Sequence, residues 1–130
     1  MIYYEASRVR IRWDEEIEAV VAEGEGFIDG DELRAGMDAG IELLASKNSS
    51  KWIADMRFRR AVPEADALWI AKDWTPRAVQ AGLRRIVIVV PTSVLGVMGM
   101  RSISQKVDLN SYETQYVDSV EAARAWLASK

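Results

Sequence analysis

Lys51-Trp-Ile-Ala-Asp-Met-Arg57 and Arg85-Ile-Val-Ile-Val-Val90 bracket the stretch that decides the fold. The first is a short apolar run that ends on Asp55 and Arg57. The second sets five apolar β-branched residues in a row, the pattern of a central strand buried on both faces in a parallel sheet. A helix signal lies between them. Pro63-Glu-Ala-Asp66 suits a first helical turn, where proline forfeits no hydrogen bond. The pattern predicts a helix to about Trp74, a break at Thr75-Pro76, and a second helix from Pro76 capped by Thr75. Gly82 then ends that helix in a left-handed conformation. Strand, crossover and parallel strand form a right-handed unit whose ligand site usually lies at the carboxyl ends of the strands. Those ends carry Asp55, Arg57, Pro91 and Thr92.

Upstream, Arg8-Val-Arg-Ile-Arg-Trp13 alternates charged and apolar residues, as a strand with one solvated face does. Asp14-Glu-Glu16 reads as a turn and residues 17–23 as a second strand, giving an antiparallel hairpin. Residues 2–5 either extend the first strand or form a separate edge strand. Leu33, Met37, Ile41 and Leu44 make one helical stripe, preceded by Asp29 and Glu32 as an approximate capping box. Gly36 and Gly40 on that helix suggest close packing on the sheet. Ala67, Ile70, Ala71 and Trp74 form a second stripe, with Ala65, Leu68 and Trp69 roughly opposite. That opposite side faces either the Met-rich segment of the same chain or a second subunit. Downstream, Ser93 caps a helix over about 94–106 that Gly96 and Gly99 weaken, and Met98 and Met100 give it adaptable apolar contacts. Residues 112–117 read as a last strand. Asp118-Ser-Val-Glu121 starts a final helix that buries Val120, Ala123 and Leu127.

The 130 residues suffice for a single domain, expected over residues 1–130, with a core of its own. No apolar run approaches the roughly 20 residues of a membrane span, and the N-terminus lacks the pattern of a signal peptide. With no cysteine and no histidine, disulfides, thiolate chemistry and the commonest base and metal ligand are excluded. A cytoplasmic location is the expectation, and no cofactor is implied. The net charge of −3 conceals an asymmetry: residues 14–42 hold eleven acids and one base, Arg34. Basic residues gather instead at Arg57, Arg59, Arg60, Arg77, Arg84 and Arg85. These form either an ordinary solvated surface or an anion-binding patch near the strand ends. An acidic chain without a basic stripe interleaved with aromatics is not built for nucleic acid.

Any catalysis falls to Asp, Glu, Lys, Ser, Thr or Tyr. Asp55 is the acid that interrupts an apolar strand, and Arg57 follows on the same side at ion-pairing distance. A structural ion pair is the simpler reading, with a hydrolase built on Asp55 as its rival. No glycine-rich phosphate loop, nucleophile elbow or calcium loop is present.

Several of these stretches resemble one family. They are Glu25-Gly-Phe-Ile-Asp-Gly-Asp-Glu-Leu-Arg34, Trp52-Ile-Ala-Asp-Met-Arg57, Glu64-Ala-Asp-Ala-Leu-Trp-Ile70, Trp74-Thr-Pro-Arg-Ala78, residues 82–91 and Glu121-Ala-Ala-Arg-Ala-Trp-Leu127. Together they look like the bacterial STAS-like (SpoIIAA-like) single-domain proteins, over nearly the whole chain. The resemblance implies a small α/β fold shared with anti-sigma-factor antagonists and related to the CRAL-TRIO lipid-binding architecture. The antagonists carry a phosphorylatable Ser or Thr at the start of the helix after a central strand. Residues 55–66 contain neither, so the resemblance does not extend to a phosphorylation switch there. It supplies no catalytic residue.

The expected architecture is α/β: a mixed sheet of about five strands, an antiparallel N-terminal hairpin, parallel central strands at 51–57 and 85–90, and about four helices. The expected function is a non-enzymatic, STAS-like regulatory or interaction module that binds a small apolar or amphipathic anion. Its candidate site comprises Trp69, Trp74, Met98 and Met100, with Arg57 and Arg77 as charge partners and Asp55 beside Arg57. A homodimer or protein-interaction domain without ligand, using the Trp69 side of its helix, is the alternative.

Overall fold

The computed structural model describes residues 1–28, 30–108 and 110–130. Six strands, β1 (Ile2–Glu5), β2 (Val9–Asp14), β3 (Ala19–Gly26), β4 (Lys51–Arg59), β5 (Arg85–Val89) and β6 (Glu113–Val117), lie side by side in sequence order. β1, β2 and β3 pair antiparallel, and β3 to β6 pair parallel. The helices are α1 (Gly30–Ser46), α2 (Glu64–Trp69), α3 (Thr75–Ala81), α4 (Val94–Lys106) and α5 (Val120–Ala128). A π-helical turn, Ile70–Trp74, joins α2 to α3, so residues 64–81 make one helical arm and the helical bodies number four. The sheet exceeds the expected five strands because residues 2–5 form their own edge strand. The predicted capping box rests on Asp29, which lies outside the described residues.

When parallel strands are laid down in one direction, crossovers of one hand all pass over the same face. α1, the 64–81 arm and α4 accordingly share a face. There they cover Val9, Ile11, Trp13, Val20, Trp52 and Ile86. α5 alone covers the other, packing Ala123 and Leu127 on Val21, Ile53 and Val87. The alternation of β4 sends Trp52 to the first core and Ile53 to the second, which is why this strand reads as apolar throughout.

Gly40 and Gly36 make the expected close helix–sheet contact. A Cβ on Gly40 would lie 2.1 Å from Cη2 of Trp52, and one on Gly36 would lie 2.5 Å from Cγ1 of Val9. Trp52 therefore presents its ring edge to Gly40 beneath α1 and packs T-shaped with Trp74, with ring centroids 5.1 Å apart at 75°. Such pairs add about 0.5–1.5 kcal/mol beyond their burial.

Thr75-Pro76 does not break the helix. Trp74 and Thr75 both have helical angles, and the Thr75 N–H reaches back five residues to the Ile70 carbonyl. In a regular α-helix the Pro76 ring would clash with a carbonyl of the preceding turn and an N–H would be missing. The π turn widens the ladder at that point and takes up the mismatch. Thr75 is consequently an interior helical residue and caps nothing. Burial of Ile70, Trp74 and Ala78, together with a 2.9 Å bond from the Trp74 indole N–H to the Met37 carbonyl, holds the arm straight through the proline. At its end Gly82, with φ of 125°, stops the helix as expected.

Candidate functional site

Between the sheet and its helical face lies a cavity of about 110 Å³. Trp52, Trp74, Ile70 and Ile86 form its apolar walls, Ile103 of α4 and Tyr112 border one end, and Arg59 borders another. Arg59 is 8% exposed. Its Nε and Nη2 have no hydrogen-bond partner among the described residues. Burial pushes the Arg59 guanidinium below the usual arginine range, and the charge of Asp66 opposes that shift. Asp66 is itself buried and lies 3.6 Å from Arg34.

A slip in the β-ladder puts Arg59 there. Strict alternation places Asp55, Arg57 and Arg59 on one face. Between Glu23 and Glu25 of β3, however, β4 advances three residues, from Asp55 to Phe58. That extra residue inverts the pattern, as a bulge does. Phe58 turns out to solvent and Arg59 turns under the helices. Gly24 leaves room for it, since a Cβ there would lie 3.0 Å from Cδ of Arg59.

Arg57 stays on the α5 face. Its Nε and Nη2 donate to the two carboxylate oxygens of Asp55 at 3.0 and 2.9 Å. That pairing raises the Arg57 pKa further. Arg77 bonds Asp38 and Asp73 at 2.9 and 3.0 Å, away from the cavity. Its cation lies 5.7 Å from the Trp69 ring, with Arg34 at 5.3 Å. Trp69 is thus flanked by two guanidinium groups, and Leu68 beside it remains exposed. α4 seats its glycines on the protein: a Cβ on Gly99 would meet Val62 at 2.8 Å. Met98 therefore points outward at 61% exposure, and Met100 is half-buried. Of the seven candidate residues, Asp55 and Trp74 line the cavity, while Arg57, Trp69, Arg77, Met98 and Met100 do not. Arg84 and Arg85 sit at the amino end of β5, so the basic residues do not form one patch.

The model of the SpoIIAA-like family matches residues 19–128. The chain belongs to the SpoIIAA-like family. The match spans the parallel half of the sheet, every helix and most of the cavity lining; it begins after β2, whose Val9 and Ile11 also line the cavity. The fold is thus that of a SpoIIAA-like, STAS-like regulatory or interaction domain. No curated protein and no solved structure matches it. In this SpoIIAA-like domain no described helix is long and apolar enough to cross a membrane. No group of three or more potential metal ligands occurs among the described residues.

Arg59 escapes the sequence reading, which ends the strand at Arg57, whereas β4 runs on to Arg59. The available signal was Glu23-Gly-Glu-Gly26, where a glycine inside a strand often marks a bulge or a close approach.

Proposed function

We propose that this SpoIIAA-like domain is a non-enzymatic regulatory module whose state is set by a small amphipathic anion held in the cavity. Buried Arg59 carries the reading. A buried guanidinium edge without hydrogen-bond partners is costly, and an arriving carboxylate would relieve that cost. The apolar walls suit a hydrocarbon body, and the guanidinium suits an acidic head.

Occupancy is legible at the surface through the backbone of the same residue. The Ser93 hydroxyl at the start of α4 lies 3.5 Å from the Arg59 carbonyl, and a Cβ on Gly96 would lie 2.6 Å from that oxygen. The N-terminal end of α4 therefore rests on Arg59. Its outward face carries Val94, Leu95 and Met98, each more than half exposed. That apolar face also supports a second reading, a ligand-free contact surface for another copy of the chain.

Native mass spectrometry before and after denaturation tests both. The expected result is an added mass that leaves on denaturation and is missing from Arg59→Met. A protein without added mass, whose tryptophan fluorescence ignores every alkyl carboxylate tried, would sink the ligand reading. Sedimentation as a dimer that Met98→Glu dissolves would then favour self-association.

A further inference from the structure

The cavity shares three of its lining residues with a neighbouring chamber. Ile88, Ile103 and Tyr112 also line a second chamber of about 310 Å³, bounded by Val107 and Tyr116 between α4 and β6. The inner chamber is small: a cavity of about 150 Å³ holds one benzene ring, and ligand pockets usually run to about 300–1,000 Å³. At 110 Å³ it has room for fewer atoms than that ring, a carboxylate head and about two or three carbons. Anything longer must pass the three shared side chains.

The head group is specified by geometry. The unpartnered atoms of Arg59 are Nε and Nη2, which lie on one edge of the guanidinium. Two residues earlier, Arg57 uses that same pair of atoms to hold both oxygens of Asp55. A side-on guanidinium edge matches a carboxylate in bidentate fashion. Resting on the amphipathic-anion reading above, we infer that the ligand is an unbranched alkyl carboxylate. Its carboxylate pairs with the Nε–Nη2 edge of Arg59, and its chain runs between Ile103 and Tyr112 into the second chamber.

Glu23 and Asp55 also line the inner chamber and Ser104, Asp108 and Glu113 the outer one, so the apolar passage is confined to the shared residues. Ile103 and Tyr112 are both only partly buried, and both pack against the first core. Burial raises the Tyr112 pKa, while the neighbouring Thr75 hydroxyl works against that rise. The phenol therefore stays neutral beside a hydrocarbon chain. Ile103 lies on the inward side of α4 with Gly96 and Gly99, so a chain passing it lies beneath the helix that rests on Arg59.

The experiment is a titration of the whole protein with n-alkyl carboxylates of about four to fourteen carbons, followed by tryptophan fluorescence. n-Alkyl phosphates and n-alkanols of matched length are run in parallel. Affinity is expected to rise about fourfold per added methylene, well past four carbons. Ile103→Trp is expected to hold affinity level beyond about four carbons while changing it less than threefold at or below that length. Tyr116→Asp, at an exposed position of the outer chamber, should weaken the twelve-carbon acid at least tenfold and spare the four-carbon one. Arg59→Met should lose binding of the acids. A native plateau at about four carbons overturns the passage and leaves the anion site standing. Tighter binding of phosphates than of carboxylates overturns the head-group assignment. No binding of any acid overturns the anion site, and the passage with it.

Discussion

Arg57 Nε and Nη2 clamp the two carboxylate oxygens of Asp55, at 3.0 and 2.9 Å, and the Arg57 backbone N–H adds a third contact at 3.3 Å. Asp55 is buried and these donors occupy both of its oxygens. The pair therefore acts as a strut within β4, beside the slip. Asp55→Ala should destabilise the fold by about 1.5–3 kcal/mol, the range for hydrogen bonds to charged groups. Denaturant unfolding would measure it. A loss below about 0.5 kcal/mol would refute the structural role and return Asp55 to candidacy as a reactive group.

Arg59→Met presents the opposite case. Methionine keeps an aliphatic stem against Gly24 and Ile28 and removes the buried charge. Replacing buried ions with apolar groups is often neutral or stabilising. The variant should gain about 1 kcal/mol in denaturant unfolding without ligand, and should lose carboxylate binding. A variant less stable than the native chain would show that Arg59 is structural, paired electrostatically with Asp66.

Gly40→Ala tests the packing of α1 on the sheet. Alanine favours a helix over glycine by about 1 kcal/mol. The added methyl would lie 2.1 Å from Trp52, which rests against Trp74 and has no room to yield. Overpacking costs about 1–3 kcal/mol and should prevail, for a net loss of about 1–2 kcal/mol by chemical denaturation. A stabilised Gly40→Ala protein would mean that α1 stands further from β4.

Asp14 links the hairpin to the last helix. Its carboxylate takes a 2.7 Å bond from Nε of Arg124, which holds its pKa below the usual carboxylate range. A lowered folded-state pKa gives stability that is present above the unfolded value of about 3.9 and is lost as pH falls through the folded one. Asp14→Asn should thus be less stable than the native chain at pH 7, with the gap narrowing steadily below about pH 4. Urea midpoints at both pH values would check it. A gap independent of pH would place the effect in packing.

Much of the fold was written in local pattern. The β-branched run at 86–90, the alternation at 8–13 and the helical stripes each encode a burial geometry that needs no distant partner to be read. So does the cap at Ser93, whose hydroxyl accepts from the Gly96 N–H group. The final helix is capped at Ser119, one residue after Asp118. The family resemblance, resting on stretches across the chain, pointed to the same fold as the family match.

The sequence by itself determined the α/β class, the order of the elements and the ion pair of Asp55 with Arg57, because period, capping and an i, i+2 relation on a strand are local properties. Tertiary structure alone decided the rest. Packing of Trp74 under α1 carried the helix through Pro76 where backbone preference called for a break. A one-residue slip against β3 moved Arg59 from the face of Arg57 to the cavity. Both depend on the register between segments far apart in the chain, and register is an energy of the assembled sheet that no single stretch contains.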